Sequence, residues 1–265
     1  MLKLKIFQVD AFTDQIFSGN PACVVPLKEW LNDDVLLKIA KENAVAETAF
    51  YLQKENDFHL RWFTPEIEMD LCGHATLATA HVIFSLPHYS SQEVRFQTIS
   101  GLLHVNKTKN LYTLDFPSRP VEPSKLPEPI MASLSLPPRA VFKARDYLLL
   151  YDNEKDIAEI RINRVLFDQI NLDPGGVIVT AKGKRSDFVS RFFTPQASIL
   201  EDPVTGSAHC SLIPFWAERL QKTTMQAQQI SARGGNLLCQ LKGNRTLISG
   251  KATTYLHGFI EVPIA

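Results

Sequence analysis

The sequence lacks the features that mark several large classes of protein. No apolar run approaches the roughly 18 residues needed to span a bilayer. The N-terminus alternates charged and apolar side chains and so differs from the apolar block of a signal peptide. Lysine plus arginine (28) equals aspartate plus glutamate (28), so the 265-residue chain has none of the basic excess typical of nucleic-acid-binding proteins. We therefore expect a cytoplasmic protein with neither a nucleic-acid nor a membrane partner.

Cysteines and short catalytic motifs are also scarce. The four cysteines, Cys23, Cys72, Cys210 and Cys239, are widely separated and form no CxxC pair that would suggest a structural zinc or redox centre. The chain has no GxGxxG, GxxxxGK(S/T), GxSxG or HExxH pattern. We therefore expect free thiols, no metal and no cofactor, so that any chemistry depends on side chains alone.

What is present is the composition of a globular protein, with 45% hydrophobic and 21% charged residues. Alternating apolar and charged residues over 2–9 predict a strand with one solvated face. Further short strands, including one at 157–160, greatly outnumber the predicted helices. This pattern favours an α+β fold over a doubly wound α/β sheet, because strands and helices do not alternate regularly. The short basic run at 182–185 is predicted to be a solvated loop.

Prolines divide the chain into two halves. Seven of them lie between residues 117 and 138, a composition that predicts a linker around a short helix near 130–134. We therefore predict an N-terminal domain of residues 1–118 and a C-terminal domain of residues 119–253.

A faint internal repeat relates the two halves. Residues 61–66 (RWFTPE) recur as residues 191–196 (RFFTPQ), and each copy continues through an acidic loop into a helix start made of small residues. The helices that follow are apolar nearly all round, which is typical of buried helices. The repeat predicts two related domains, each with a sheet packed around a central helix.

The two helix starts are candidate anion sites. Gly73 and Ala75 in the first, and Gly206 and Ser207 in the second, offer little side-chain bulk near N–H groups that have no partner within a helix. The alternative is that these glycines only allow close packing of helix on sheet. Two related starts favour a carboxylate-binding cleft shared by the domains.

Three side chains are candidates for acid–base chemistry. Glu47 is a lone charge in the small, apolar run 43–50, and a buried carboxylate can both take and return a proton. His74 and Asp202 occupy equivalent loops of the repeat, where an imidazole could polarise a substrate and an aspartate could orient it. The alternatives are a solvated Glu47 at a helix–strand junction and capping or loop roles for the other two.

Five segments of the chain resemble the phenazine-biosynthesis (PhzF-like) isomerases, which share the diaminopimelate epimerase fold. They occur in the family's order and span nearly the whole chain: residues 7–13 (FQVDAFT), 17–22 (FSGNPA), 47–50 (ETAF), 71–76 (LCGHAT) and 201–208 (EDPVTGSA).

The resemblance implies two similar domains, each a β-barrel-like sheet wrapped around a central helix, with the active site in the cleft between them. It implies a homodimer, and a last strand near 255–264, within residues 254–265, that returns to the first domain. It assigns Glu47 as the proton shuttle on a small carboxylate substrate, with His74 and Asp202 as its partners. The residues expected to bind the substrate are Asn20, Gly73, Ala75, Gly206 and Ser207.

The chain departs from the pattern of related epimerases at one position, and this difference distinguishes two kinds of proton transfer. Cofactor-independent epimerases of this fold use two cysteines, one ahead of each glycine-rich helix start. Cys72 stands at the first position, whereas Pro203 and Val204 precede the second start and Cys210 lies beyond it. Proton transfer by a single carboxylate therefore fits better, and the alternatives are a thiol-dependent racemase or epimerase using Cys72 and a non-catalytic binding protein.

Overall fold

The structure, a computed structural model, describes residues 1–172 and 175–263 of the chain. The strands in these ranges are β1 (Leu2–Ala11), β2 (Asn20–Leu27), β3 (Glu47–Lys54), β4 (Asp57–Phe63), β5 (Glu68–Met69), β6 (Glu93–Thr98), β7 (Gly101–Thr108), β8 (Leu111–Pro117), β9 (Glu122–Pro123), β10 (Ala140–Lys143), β11 (Tyr147–Leu150), β12 (Val177–Lys182), β13 (Phe188–Phe193), β14 (Glu201–Asp202), β15 (Thr224–Gln229), β16 (Gly235–Lys242), β17 (Arg245–Gly250) and β18 (Ala252–Val262). The helices are α1 (Asp33–Asn43), α2 (Gly73–Phe84), α3 (Glu128–Ser133), α4 (Glu154–Glu159), α5 (Arg164–Phe167) and α6 (His209–Leu220). None of the helices in the described ranges is long and apolar enough to cross a membrane.

The chain divides into two compact units, one of residues 1–115 and 249–265 and the other of residues 116–248. The strand predicted at 255–264 overlaps β18, which belongs to the first unit and pairs antiparallel with β1. The last residues of that prediction, 264 and 265, lie outside the described residues.

In the first unit the strands pair in the order β18–β1–β2–β3–β4–β6–β7–β8. The β2–β3 and β4–β6 pairs are parallel. A parallel pair needs a crossover connection, and α1 and α2 lie on these two connections. Helix α2 packs against β1, β2, β3, β6 and β18, and ten of its twelve residues are buried.

The second unit repeats this pattern. Its strands pair in the order β9–β10–β11–β12–β13–β15–β16, with parallel β11–β12 and β13–β15 pairs. Helix α6 follows β14 as α2 follows β5, packs against β15 and β16, and has eight of its twelve residues buried. The predicted α+β class, with sheets packed around a central helix, is confirmed.

The internal repeat is confirmed at the level of individual side chains. In the first unit Arg61 donates two hydrogen bonds to Glu68, with Nε–Oε1 and Nη2–Oε2 distances of 2.7 Å. In the second unit Arg191 makes the same pair with Glu201, at 2.7 and 2.8 Å. Each guanidinium also lies over the phenylalanine two residues along its strand, at 5.1 Å and 4.9 Å from the ring centroid.

The prediction of a strand at 157–160 is wrong, because this segment belongs largely to α4. Asn153 caps that helix, and its side chain accepts a hydrogen bond from the Asp156 backbone N–H. Ile157 and Ile160 are buried three positions apart, which is helical spacing and not the alternation of a strand.

The proline-rich segment is not merely a linker. The short helix predicted within it exists as α3, and its Ile130 is fully buried in the core of the second unit. Strand β9 in the same segment pairs with β10. Proline favours the first turn of a helix, and Pro129 takes that place in α3.

Candidate active site

Three of the predicted site residues meet because each lies at the start of an element of the first unit. Asn20 begins β2, Glu47 begins β3, and His74 lies in the first turn of α2. Strands β2 and β3 are parallel neighbours, so their N-terminal ends lie at the same edge of the sheet. Because α2 packs on both strands, its first turn brings His74 to that edge.

The imidazole of His74 contacts a different side chain at each ring nitrogen. Its Nε2 lies 3.1 Å from Glu47 Oε2, and its Nδ1 lies 3.1 Å from the side-chain nitrogen of Asn20. His74 and Asn20 are buried, and the Glu47 side chain is 15% exposed. Glu47 is therefore not a solvated residue at a helix–strand junction, and its carboxylate is held against an imidazole at the edge of the unit's core.

Cys72 also belongs to this group. Its Sγ lies 3.5 Å from His74 Nδ1 and is buried. Burial, with the nearby Glu47 carboxylate, raises the pKa of the Cys72 thiol to about 11. Cys72 is therefore a neutral thiol near neutral pH, which is poorly suited to act as a base.

Opposing influences act on the protonation of His74. Burial on its own would lower the pKa of His74, whereas the neighbouring Cys72 and Glu47 raise it, and the net result is a pKa well above the usual value. Since the Cys72 thiol carries no charge near neutrality, the Glu47 carboxylate is the charge that favours a protonated imidazole.

The same three side chains offer a donor set for a metal. One ligand atom each from Glu47, Cys72 and His74 lies within 4.8 Å of the others. Carboxylate, thiolate and imidazole are donors that zinc accepts. No sequence motif marks this group, because Glu47 is far in sequence from Cys72 and His74. It joins them only through the packing of α2 on β3.

In the second unit, a hydrogen-bond network fixes the loop that carries Asp202. Thr205 Oγ1 donates to Asp202 Oδ2, and the Gln229 side chain donates to the Asp202 carbonyl at 2.7 Å. The Gln229 side-chain oxygen in turn accepts from the Thr205 N–H at 2.9 Å. Sequence reasoning missed Gln229 because it lies in β15, outside every motif.

The second helix start differs from the first in its backbone. Helix α2 begins directly at Gly73, and its first backbone bond runs from Thr76 N–H to the Cys72 carbonyl. Gly206 and Ser207 instead form a turn ahead of α6, in which their carbonyls accept from the His209 and Cys210 N–H groups. The predicted helix start at 206–208 is therefore a tight turn that precedes the helix.

Comparison with known proteins places the chain in one family. The model of the phenazine biosynthesis-like protein family, PhzC–PhzF, matches residues 9–258. An uncharacterized isomerase of Pseudomonas aeruginosa is 47% identical over 262 residues, covering 98% of this chain and all of that protein. The crystal structure of a PhzF-family protein from Enterococcus faecalis has a TM-score of 0.93 and 42% identity, covering 98% of this chain and all of that one.

A more distant likeness concerns the fold alone. A hydroxyproline epimerase from Agrobacterium vitis superposes with a TM-score of 0.62 at 12% identity, covering 97% of this chain and 92% of that one. The predicted relation to epimerase folds is confirmed by this likeness. The chain belongs to the phenazine biosynthesis-like PhzF family and is an enzyme of the isomerase class.

Proposed function

We propose that the protein moves a proton between carbon atoms of a small carboxylate substrate, with Glu47 as general acid and base and without a cofactor. The observation that carries this proposal is the 3.1 Å contact between Glu47 Oε2 and His74 Nε2. A carboxylate held in one orientation and largely removed from water is suited to repeated proton transfer. Family membership supplies the reaction class, and this contact supplies the group that performs it.

The start of α2 provides a place for the substrate carboxylate. The N–H groups of Gly73, His74 and Ala75 precede the first bond inside the helix and lie at the positive end of its dipole. A carboxylate bound there would lie beside the imidazole of His74. Its neighbouring carbon would then lie near Glu47, the arrangement that proton abstraction next to a carboxylate needs.

The remaining roles follow from the family resemblance. We propose that Asp202 binds a polar group of the substrate and that the backbone of Gly206 and Ser207 contributes to carboxylate binding. The network through Gln229 supports this, because it holds Asp202 in one position. We also propose that the protein is cytoplasmic and forms a homodimer. Light scattering of the purified protein tests the homodimer.

A thiol-dependent epimerase is the second candidate, because Cys72 contacts His74. Two observations weigh against it. The pKa of Cys72 is raised by burial, and Cys210, the cysteine nearest the second helix start, is buried within α6 with its pKa also raised. Neither thiol is thus disposed to ionise near neutral pH.

The test is an NMR screen in D2O with a panel of cyclic, unsaturated and amino carboxylic acids. We expect deuterium to enter a carbon position with the wild type and not with Glu47→Gln. The matched control is Glu42→Gln, the same change on the exposed face of α1, which should keep full activity. Deuterium incorporation by a folded Glu47→Gln variant at the wild-type rate would overturn the proposal.

A further inference from the structure

We propose that the second unit holds a binding site for a small organic phosphate. A cavity of about 390 Å³ lies beside the turn that joins β12 to β13. Its volume falls within the range typical of small-molecule sites. None of the described residues to which we assign acid–base chemistry or substrate binding lines this cavity. The inference therefore stands independently of the proposed function.

Positive charge dominates the lining of the cavity. Lys184, Arg185 and Lys222 are cationic, whereas Asp187 is the one carboxylate among the lining residues that the structure describes. Both oxygens of that carboxylate are engaged, because Oδ1 accepts from the Lys222 ammonium and Oδ2 accepts from the Gln226 N–H at 2.8 Å. Within the described ranges, Lys184 and Arg185 form no ion pair with a carboxylate. An anion in the cavity would therefore meet positive charge that the protein itself does not neutralise.

The turn that carries Lys184 and Arg185 has a fixed backbone. The Asp187 N–H donates to the Gln226 carbonyl at 2.8 Å, which ties the end of the turn to β15. The Lys184 N–H donates to Glu154 Oε2 at 2.6 Å, which ties the start of the turn to α4. Two cations on a backbone held at both ends can bind an anion with little further ordering of the chain.

The solvent-facing side of β15 and β16 adds an apolar surface. Gln226 and Leu238 lie opposite each other in this antiparallel pair, so their side chains share one face. Leu238 also lines the cavity and is 39% exposed, while its neighbours on the same face of β16, Asn236 and Gln240, are polar. A ligand that fills the cavity would therefore meet a leucine side chain as well as the cations.

These features together favour an organic phosphate over a simple carboxylate. A phosphate monoester carries a charge of about −1.5 to −2 at neutral pH, which matches the two cations that lack carboxylate partners. The guanidinium of Arg185 can donate two parallel hydrogen bonds to phosphate oxygens. The rest of the ligand contacts Leu238, which inorganic phosphate is too small to do while filling the cavity. Adenosine 5′-monophosphate (AMP) has both parts and serves as the probe.

The first test is isothermal titration calorimetry of the wild-type protein with AMP, adenosine and inorganic phosphate at low ionic strength. We expect AMP to bind with a Kd of about 1 mM or below, and adenosine and inorganic phosphate each to bind about 10-fold more weakly. Added salt should weaken the binding of AMP, because the attracting charges are exposed. Failure of AMP to bind, or equal binding of adenosine, would overturn the proposal.

The second test removes the cations. The double variant Lys184→Gln with Arg185→Gln should raise the Kd of AMP by about 10-fold or more. Both side chains are exposed, and glutamine keeps the Lys184 N–H that bonds to α4, so the variant should fold. The matched control is Lys125→Gln with Arg139→Gln, which removes two exposed cations of the same unit that do not line the cavity. An equal loss of affinity in the two double variants would contradict a specific site.

The third test concerns the apolar surface. Leu238→Gln fits the polar pattern of its face of β16 and should raise the Kd of AMP by about threefold, since an apolar contact is lost. The Kd of inorganic phosphate should stay as in the wild type. AMP binding that is unchanged both by this substitution and by the loss of Lys184 and Arg185 would lie elsewhere on the protein and would overturn the proposal.

Discussion

His74 Nε2 lies 3.1 Å from Glu47 Oε2, and this contact joins the first turn of α2 to the first residue of β3. The two residues come from different elements, so their distance depends on how the central helix packs on the sheet. A change that shifts α2 along β3 would therefore alter the chemistry without touching either residue.

Substitutions of His74 should separate its polar contact with Glu47 from the rest of its ring. Glutamine can place an N–H near the position of Nε2, so His74→Gln should retain more activity than His74→Ala. We expect kcat to fall by about 10-fold in the first and by about 1,000-fold in the second, the range found when a positioned donor is lost. Steady-state kinetics measures both, and equal losses would show that an N–H near Glu47 is not the important property.

Cys72→Ser should leave activity within about threefold of the wild type, because the neutral thiol is only a packing and weak hydrogen-bonding neighbour of His74. The raised pKa of Cys72, about 11, also predicts alkylation by iodoacetamide at least about 100-fold slower than that of a free cysteine near neutral pH. Rate measurements with the reagent and the variant check this. Rapid inactivation through Cys72 would favour the thiol-dependent alternative.

Zinc should inhibit the enzyme through the group formed by Glu47, Cys72 and His74. Coordination would displace the thiol proton to solvent and occupy the carboxylate that we propose as the acid–base group. We expect Cys72→Ser to weaken this inhibition by about 10-fold or more, since one of three ligands becomes a poor donor. Cobalt offers an independent readout, because a thiolate–cobalt charge-transfer band should appear in the wild type and be missing in the variant.

The two repeated arginines should differ in their contribution to stability. Arg191 is 15% exposed and also donates to the Ile157 and Ile160 carbonyls, whereas Arg61 pairs with the exposed Asp33 in addition to Glu68. Arg191→Met should lower the free energy of unfolding by about 2–4 kcal/mol, because it leaves buried acceptors without a hydrogen-bond donor. Arg61→Met should cost about 0–1 kcal/mol. Urea unfolding of the two variants measures the difference, and equal costs would contradict this ranking.

Acid should destabilise the second unit through His209. Burial lowers the pKa of His209 to about 4, below the roughly 6.5 expected in the unfolded chain. The unfolded chain therefore binds the proton first, and the free energy of unfolding falls as the pH drops from about 6.5 to about 4, by about 3 kcal/mol at most. His209→Asn keeps a donor for the Thr205 carbonyl and should flatten this dependence. His81, whose pKa burial also lowers to about 4, contributes in both proteins, so the difference between them isolates His209.

Local patterns in the sequence predicted much of the fold. The alternation over residues 2–9 predicted β1, and the uniformly apolar composition of two segments predicted the buried helices α2 and α6. The strand prediction at 157–160 was wrong because it relied on two isoleucines whose i, i+3 spacing suits one face of a helix. The cap at Asn153 supports the same helix.

The sequence identified candidate site residues but not the contacts between them. Glu47 and His74 stood out by residue type and by the family resemblance, and Asn20 was expected only to bind the substrate. That the Asn20 amide contacts His74, and that Gln229 holds the Asp202 loop, depends on the packing of elements that are separate in sequence. Such contacts leave no local pattern, so they became visible only in the folded chain.

The pairing of β18 with β1 has a consequence for synthesis. Residues 2–11 find their partners among residues 252–262, which leave the ribosome only after residues 1–251. The second unit, residues 116–248, has all of its strands available earlier, so it can complete its fold during translation. Asn20, Glu47 and His74 lie in the first unit, so the nascent protein should gain activity only after β18 has been released.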